Sequence, residues 1–258
     1  MSLTTQKSSP YTVIADIYDL VMTDVDYETW SDYIDEIILQ HKPKSEELLE
    51  LACGTGTIAL YLEELDCYNI TANDASADII RIAKRKAARI NSEIKFLPMN
   101  FLDIQLEKTF DVVYMVFDSL NYLHGDEEIL KLHSEVKKVL NPGGIFIYDF
   151  TTPRNSRKAI RYLNEERRHL KGKFRYERQS SYDPRNQIHT NTFHIELMDP
   201  ESGEPTQVFE EEHQQKIYTF DHIKSLIKKT DFTILQAYDG FDLKPAHKKS
   251  LRITMVLQ

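Results

Sequence analysis

Between Tyr11 and Gln40 apolar residues recur at helical spacing. Val13, Ile14, Ile17, Leu20 and Val21 share one face, and Trp30, Tyr33, Ile34, Ile37 and Ile38 share the next. Asp26 is placed to cap the second helix and Pro43 to stop it. The pattern then alternates. Apolar runs at 47–52, 69–73, 93–97, 110–116 and 144–150 predict strands, separated by helices near 57–65, 76–90 and 126–140. Asn141-Pro142-Gly143-Gly144 predicts a helix stop and a turn before the fifth strand. Strands alternating with helices imply right-handed crossovers and a doubly wound, mostly parallel α/β sheet. Ligands of such sheets sit beyond the strand carboxyl ends.

After Thr152 the rhythm changes. Residues 172–217 alternate polar and apolar positions, as in Phe174-Arg175-Tyr176-Glu177-Arg178 and Thr192-Phe193-His194-Ile195-Glu196-Leu197. Asp183-Pro184-Arg185-Asn186 and Asp199-Pro200-Glu201-Ser202-Gly203 break them with turn chemistry. The pattern predicts an antiparallel meander of about three strands. A helix at 221–229 and strands near 233–239 and 251–257 follow, and no internal repeat is present.

Composition narrows the class. A chain of 258 residues with 41% hydrophobic content can bury a sizeable core, and no apolar run is long enough to span a membrane. Met1 to Pro10 is polar and lacks the apolar stretch of a secretion signal. Two cysteines, Cys53 and Cys67, form no disulfide framework, so a reducing cytoplasm is expected and both are read as small buried apolar residues. The net charge of −9 argues against a nucleic-acid partner. The basic run from Arg81 to Arg89 is read as a solvated helix face.

The candidate chemistry begins at Leu48-Leu49-Glu50-Leu51-Ala52-Cys53-Gly54-Thr55-Gly56-Thr57, a strand entering a glycine turn and then a helix. Glycine lets the backbone approach a ligand closely. Asp74 follows about 20 residues later, the offset of an acidic group that holds a ribose. Together they predict a nucleoside-containing cofactor. Gly54-Thr55-Gly56-Thr57-Ile58-Ala59 also satisfies a dinucleotide fingerprint, so an NAD-dependent oxidoreductase is an alternative. Against it, two helices precede the motif strand and no second mononucleotide half follows the fifth strand.

Five segments in this order resemble the class I S-adenosylmethionine-dependent methyltransferases. They are Glu50–Gly56, Asn73-Asp74-Ala75-Ser76, Pro98-Met99-Asn100-Phe101, Phe110-Asp111-Val112-Val113 and Asn141-Pro142-Gly143-Gly144. The resemblance covers nearly the whole chain. It implies a Rossmann-like, seven-stranded sheet with an antiparallel last strand and an inserted β-meander. Within the family, Tyr18-Asp19 and Asp26-Tyr27-Glu28-Thr29-Trp30 resemble the lid of small-molecule enzymes, among them glycine-type and amino-sugar N-methyltransferases. The implied division is an N-terminal helical lid at 1–44, a cofactor domain at 45–152 and 218–258, and an inserted β substrate lid at 153–217.

The resemblance also implies residue roles. Asp74 would accept both ribose hydroxyls, or else cap the following helix in competition with Ser76. Gly54 and Gly56 would approach the amino-acid end of S-adenosyl-L-methionine, with Ala52 offering a carbonyl and Glu50 orienting the loop. Cys53, Ala75 and Phe117 would complete the cofactor lining. Asn100 stands where the family commonly has aspartate; it would accept from adenine beside the Phe101 amide, or stabilise its own turn. Among Tyr11, Tyr18 and Trp30 on the lid, Tyr18 is favoured for cation–π attraction to the sulfonium, worth about 0.5–2 kcal/mol, against simple core packing. Trp30 is counted with it on the cofactor side.

Tyr122 and Asp118 lie where an acceptor would meet the methyl group. Tyrosine, with a reference pKa near 10, is a poor base at neutral pH, so positioning the acceptor or lining its pocket is expected of Tyr122. Asp118 would take a proton or bind an amine. His189, His194 and His213, with Glu210-Glu211-Glu212, invite a metal reading, but their spacing resembles no known ligand set. They are read as a solvated face or a substrate wall, and no metal is expected. The expected reaction is methyl transfer to a nitrogen or oxygen of a small polar metabolite by in-line displacement, releasing S-adenosyl-L-homocysteine. RNA, tRNA in particular, is the alternative acceptor, and a non-catalytic cofactor-binding module the alternative role. A monomer or homodimer without membrane attachment is expected.

Overall fold

The computed structural model describes residues 4–170 and 173–258. Met1 to Leu3 of the expected lid, and Lys171 and Gly172 of the expected insert, lie outside the described residues. The chain opens with β1 (Thr5–Ser8), a 3-10 turn (Ile14–Ile17), α1 (Tyr18–Val21) and α2 (Tyr27–His41). Alternation follows: β2 (Glu47–Leu51), α3 (Thr57–Glu63), β3 (Asn69–Asp74), α4 (Ala77–Ile90), β4 (Lys95–Pro98), β5 (Phe110–Met115), α5 (Asp126–Val139) and β6 (Leu140–Thr151). Next come α6 (Pro153–Leu163), β7 (Glu166–Leu170), β8 (Phe174–Asp183), β9 (Ile188–Met198) and β10 (Pro205–Lys216). The chain closes with α7 (Phe220–Ile227), β11 (Ile234–Asp239), β12 (Asp242–Pro245) and β13 (Arg252–Leu257).

Among the described residues eight strands form the main sheet, in the order β12-β11-β13-β6-β5-β2-β3-β4. The five strands from β6 to β4 are parallel, and β13 runs antiparallel against β6. The sheet is covered on both faces, which is why its strands read as continuous apolar runs. The two-residue period still sorts them. Leu48, Val112, Tyr114, Ile145 and Ile147 pack with Ile34, Ile37, Ile58 and Ile80 from α2, α3 and α4. Leu49, Val113, Met115, Phe146 and Tyr148 pack with Ile129, Leu132, Val136 and Leu226 from α5 and α7.

Several sequence expectations need correction. The sheet has eight strands, not seven, because the return through Gly240 pairs as the short edge strand β12. The fifth expected strand is longer: β6 begins at Leu140, with Gly143 at φ +72° and a register shift against β5. The insert holds four antiparallel strands, and β1 adds to β10 in parallel as a fifth. It is preceded by α6, whose start, a Thr152 cap with Pro153 in the first turn, is ordinary helix chemistry. The first expected lid helix is broken into a 3-10 turn and one α turn, and Leu20 on its supposed core face is 40% exposed. Tyr11 is left-handed (φ 61°) and the chain leaves helical geometry again at Ile17 (φ −114°, ψ 1°), while the Glu211 carboxylate takes the amides of Tyr11, Val13 and Ile14 much as a cap would. Asp26 does cap α2, accepting from the Thr29 amide at 3.0 Å. The Arg81–Arg89 run does lie on α4, with Ile82, Ala83 and Ala87 buried and most of its charges exposed, but Lys86 turns in to Asp19. Cys53 is buried as expected, but Cys67 is exposed.

Candidate active site

The glycine turn between β2 and α3 holds three left-handed residues, Ala52 (φ 53°), Gly54 (φ 55°) and Gly56 (φ 74°). A Cβ on Gly56 would stand 2.4 Å from Cε1 of Phe96, so glycine is required there by packing as well as by φ. The turn is tied to the end of β3 twice. The Cys53 amide donates to the Asn73 carbonyl at 2.8 Å, and the Gly54 amide donates to Asp74 Oδ2 at 3.1 Å. Asp74 Oδ1 accepts from the Ser76 amide at 2.9 Å. The cap of α4 is Ser76, whose Oγ accepts from the Ile79 amide at 3.3 Å and donates to the Tyr11 carbonyl at 3.0 Å. Asp74 is thus free of the capping job, and each of its oxygens keeps acceptor capacity. Burial raises its pKa, although three backbone amides oppose the shift.

A cavity of about 610 Å³ lies above this turn. Tyr18, Glu50, Ala52, Cys53, Gly54 and Asp74 line it, as do Ala75, Asn100, Phe101, Phe117 and Tyr122. Gly56 and Trp30 do not: Gly56 packs inward against Phe96, and Trp30 lies in a second cavity. Glu50 is 2% exposed, its Oε2 has no hydrogen-bond partner, and burial pushes its pKa up to about 8. Asn100 Oδ1 accepts from the Leu102 amide at 2.8 Å, closing its own turn. The lid reaches the glycine turn through Asp19, which accepts from Thr55 Oγ at 2.6 Å and pairs with Lys86 at 3.0 Å. Two inward carboxyl groups among aromatic rings suit a ligand that is cationic at one end and carries a diol at the other. S-adenosylmethionine has that chemistry, so the residues present fit it.

The second cavity, about 680 Å³, lies between the lid, α6 and the β-insert. Tyr11, Tyr18, Phe117 and Tyr122 line both cavities and so form the partition between them. Asp118 lines only the second. It is ion-paired to Arg252, which also pairs with the fully buried Asp149. The Arg252 guanidinium sits 5.2 Å over the Trp30 ring, and Trp30 packs at 4.2 Å against Phe117. Burial raises Asp149 to about 6 despite the arginine. Phe117 (φ 61°) and Asp118 (φ 58°) are consecutive left-handed residues without glycine, a strained turn of the kind that clusters at functional sites.

Tyr122 is joined to groups that the sequence did not associate with it. Its hydroxyl lies 2.7 Å from the Tyr11 hydroxyl and 3.1 Å from Nδ1 of His213. His213 Nε2 lies 3.1 Å from Glu211 Oε1. His189, His213 and Glu211 are buried, so the solvated-face reading fails for them, whereas His194 is exposed. The substrate-wall reading fits, since His189 and His213 line the second cavity. The spacing Glu211-x-His213 on a strand puts both side chains on one face, which was the available signal; their partner Tyr122 is distant in sequence. Among the described residues no group of three or more His, Cys, Asp or Glu is arranged to hold a metal ion. Nor is any described helix long and apolar enough to cross a membrane.

Residues 48–144 match a family described as a methyltransferase domain. The Bacillus subtilis (strain 168) protein YqeM, which carries a methyltransferase name, is 25% identical over 238 residues, covering 92% of each chain. A solved structure of an S-adenosylmethionine-dependent methyltransferase from Clostridium acetobutylicum ATCC 824 is 25% identical with a TM-score of 0.79, covering 96% of this chain and 98% of that one. An amino-sugar enzyme of Streptomyces fradiae, dTDP-3-amino-3,6-dideoxy-alpha-D-glucopyranose N,N-dimethyltransferase, is 28% identical over 145 residues, 55% of each chain.

Proposed function

We propose that this chain, which is a class I S-adenosylmethionine-dependent methyltransferase, methylates a nitrogen or oxygen of a small polar acceptor seated in the second cavity. The observation that carries the reading is the pair of cavities meeting at Tyr11, Tyr18, Phe117 and Tyr122. A donor in one and an acceptor in the other would face each other across that partition. The amino-sugar relative supports an amine as one acceptor class. We assign residues 1–44 and 153–217 to the acceptor walls, and the rest to the cofactor domain.

When bound, the cofactor supplies an electrophilic methyl carbon and its sulfur keeps the bonding pair. Asp74 would accept the ribose hydroxyls. Ala52, Gly54 and Glu50 would surround the amino-acid end, and Asn100 and Phe101 the adenine edge. Ring faces of Tyr18 and Phe117 would meet positive charge at the partition and keep water out. Tyr122 would orient the acceptor, and Asp118, held by Arg252, would stiffen the turn beside it. Most of the rate enhancement would then come from approximation in a dry site.

Calorimetric titration with S-adenosylmethionine, with Asp74→Ala as control, tests the cofactor half. Micromolar one-to-one binding that the variant loses is expected; a variant that binds normally removes Asp74 from the ribose. The acceptor half is tested with labelled methyl donor and the small-molecule filtrate of a cell extract. Label is expected in compounds that pass the filter; label appearing only in added tRNA would overturn the small-acceptor assignment.

A further inference from the structure

Methyl transfer removes a proton as well as adding a carbon. The acceptor's lone pair forms the new bond to carbon, so its N–H or O–H proton needs a destination. Neither Tyr11 nor Tyr122, the hydrogen-bonded pair at the partition, can keep it. Burial holds both phenols well above their ordinary range, Tyr11 further raised by Tyr122 and Tyr18, and each is a neutral hydroxyl. A neutral phenol can pass a proton on only if another group takes its own.

The structure supplies that group. We infer that His213, backed by Glu211, is the terminal proton acceptor of the reaction, reached through the hydroxyls of Tyr122 and Tyr11. The geometry determines the direction. Glu211 is fully buried and accepts from the amides of Tyr11 (2.5 Å), Val13 (3.1 Å) and Ile14 (3.2 Å) and from Ser8 Oγ (3.1 Å). Burial alone would raise its pKa, but the hydrogen bonds from His213 and from the Ile14 and Tyr11 amides outweigh it and hold the carboxyl below its ordinary value. An ionised carboxylate can only accept, so His213 presents Nε2–H to it. In the neutral ring Nδ1 is then a lone pair, and the Tyr122 hydroxyl, 3.1 Å away, is placed to donate to it. Tyr11 then donates to the Tyr122 oxygen at 2.7 Å, and the Tyr11 oxygen is left as the acceptor at the partition.

The proton balance follows. The acceptor's proton passes to the Tyr11 oxygen as the Tyr11 proton moves to Tyr122 and the Tyr122 proton to His213 Nδ1. Both phenols end neutral, and the imidazolium rests against Glu211. His213 lines the second cavity and returns the proton there when product leaves. His213 never touches the reacting atoms, so it is a positioning and relay residue rather than a catalytic one. The inference rests on the proposed transfer to an acceptor in the second cavity.

Two measurements test it, one independent of turnover. In protein labelled with 15N-histidine and saturated with S-adenosylhomocysteine, long-range proton–nitrogen correlations report the His213 tautomer. The neutral Nε2–H form is expected, with the Nδ1 signal moving in Tyr122→Phe as its donor is lost. A proton on Nδ1 would overturn the relay, because the ring would have no lone pair for Tyr122. The second measurement is label transfer into the cell-extract filtrate by His213→Gln and Tyr122→Phe. Both are expected to lose about 100-fold or more in turnover, the scale of general-base catalysis, with S-adenosylmethionine affinity within about twofold of wild type. A His213→Gln enzyme that folds, binds cofactor and turns over normally overturns the inference. If wild-type protein binds cofactor yet labels nothing in the filtrate, the small-acceptor reading fails, while the tautomer still decides the relay.

Discussion

Glu50 is a carboxyl group built into the wall of the cavity above the glycine turn and raised by burial to about 8, beside Tyr114 and the Ala59 amide and within reach of the Asp74 charge. Because the folded value lies above the ordinary 4.5, the native state holds a proton there at neutral pH that the unfolded chain has lost. The stability this group contributes is present below about 4.5 and is lost as pH rises through about 8. A cationic ligand in the cavity favours the carboxylate, so binding should expel the proton. Titrating S-adenosylmethionine at pH 7 in two buffers of different ionisation enthalpy should report release of close to one proton, and none in Glu50→Gln. Equal heats in both buffers for the wild type would mean that Glu50 does not answer to the ligand's charge. Of the site residues, Asp74 and the glycine turn were legible because they follow one another along a strand, a turn and the next strand end. The carboxamide of Asn100 was legible only as a pair of alternatives, and the Leu102 amide now occupies its oxygen.

Helices and turns here respond to single atoms. Ser76 caps α4 and also holds the Tyr11 carbonyl, so Ser76→Ala should lower stability by about 1 kcal/mol in chemical denaturation and loosen the lid over the cofactor. A variant with unchanged stability would show that the 3.3 Å cap is replaceable by water. Gly56 is the harsher case. Gly56→Ala combines left-handed strain with a methyl group pressed on the Phe96 ring, and should cost about 3 kcal/mol. Element boundaries were legible wherever caps and breakers stood next to periodic runs, as at Asp26 for α2. The lid was misread for a physical reason: its helical spacing is real, but the backbone leaves helical geometry at Tyr11 (φ 61°) and Ile17 (φ −114°, ψ 1°), and Glu211, remote in sequence, anchors the amides between them.

The parts of the molecule meet at Arg252. It comes from β13, pairs with Asp149 on β6 and with Asp118 after β5, and lies over Trp30 of the lid helix α2. Only 20% of its side chain is exposed, and Asp149 is fully buried, so removing the arginine would strand a buried charge. Arg252→Gln should lose about 3–5 kcal/mol near neutral pH. The sign with pH is fixed by Asp149. Its folded value, about 6, lies above the ordinary 3.8, so protonation favours the fold and the stability that it contributes disappears as pH rises through about 6. Without the arginine this penalty grows, and the variant's deficit should therefore shrink in acid. Urea denaturation of both proteins at pH 5 and pH 8 checks this; a deficit equal at the two pH values would leave only lost packing against Trp30.

The order of apolar runs, the glycine turn and Asp74 determined by themselves that strands alternate with helices, and pointed to a nucleoside-bearing cofactor at their carboxyl ends. Those features are local, set by periods of two and 3.6 residues and by glycine's freedom at positive φ. Tertiary structure alone decided that Trp30 and Asp118 belong to the second cavity, and that Glu211, His213, Tyr122 and Tyr11 form one hydrogen-bonded line. Their separation is up to 203 residues when Ser8 is counted with Glu211, and a hydrogen bond over that distance leaves no trace in local pattern. Buried polar groups must find partners somewhere, and only the packed chain decides which.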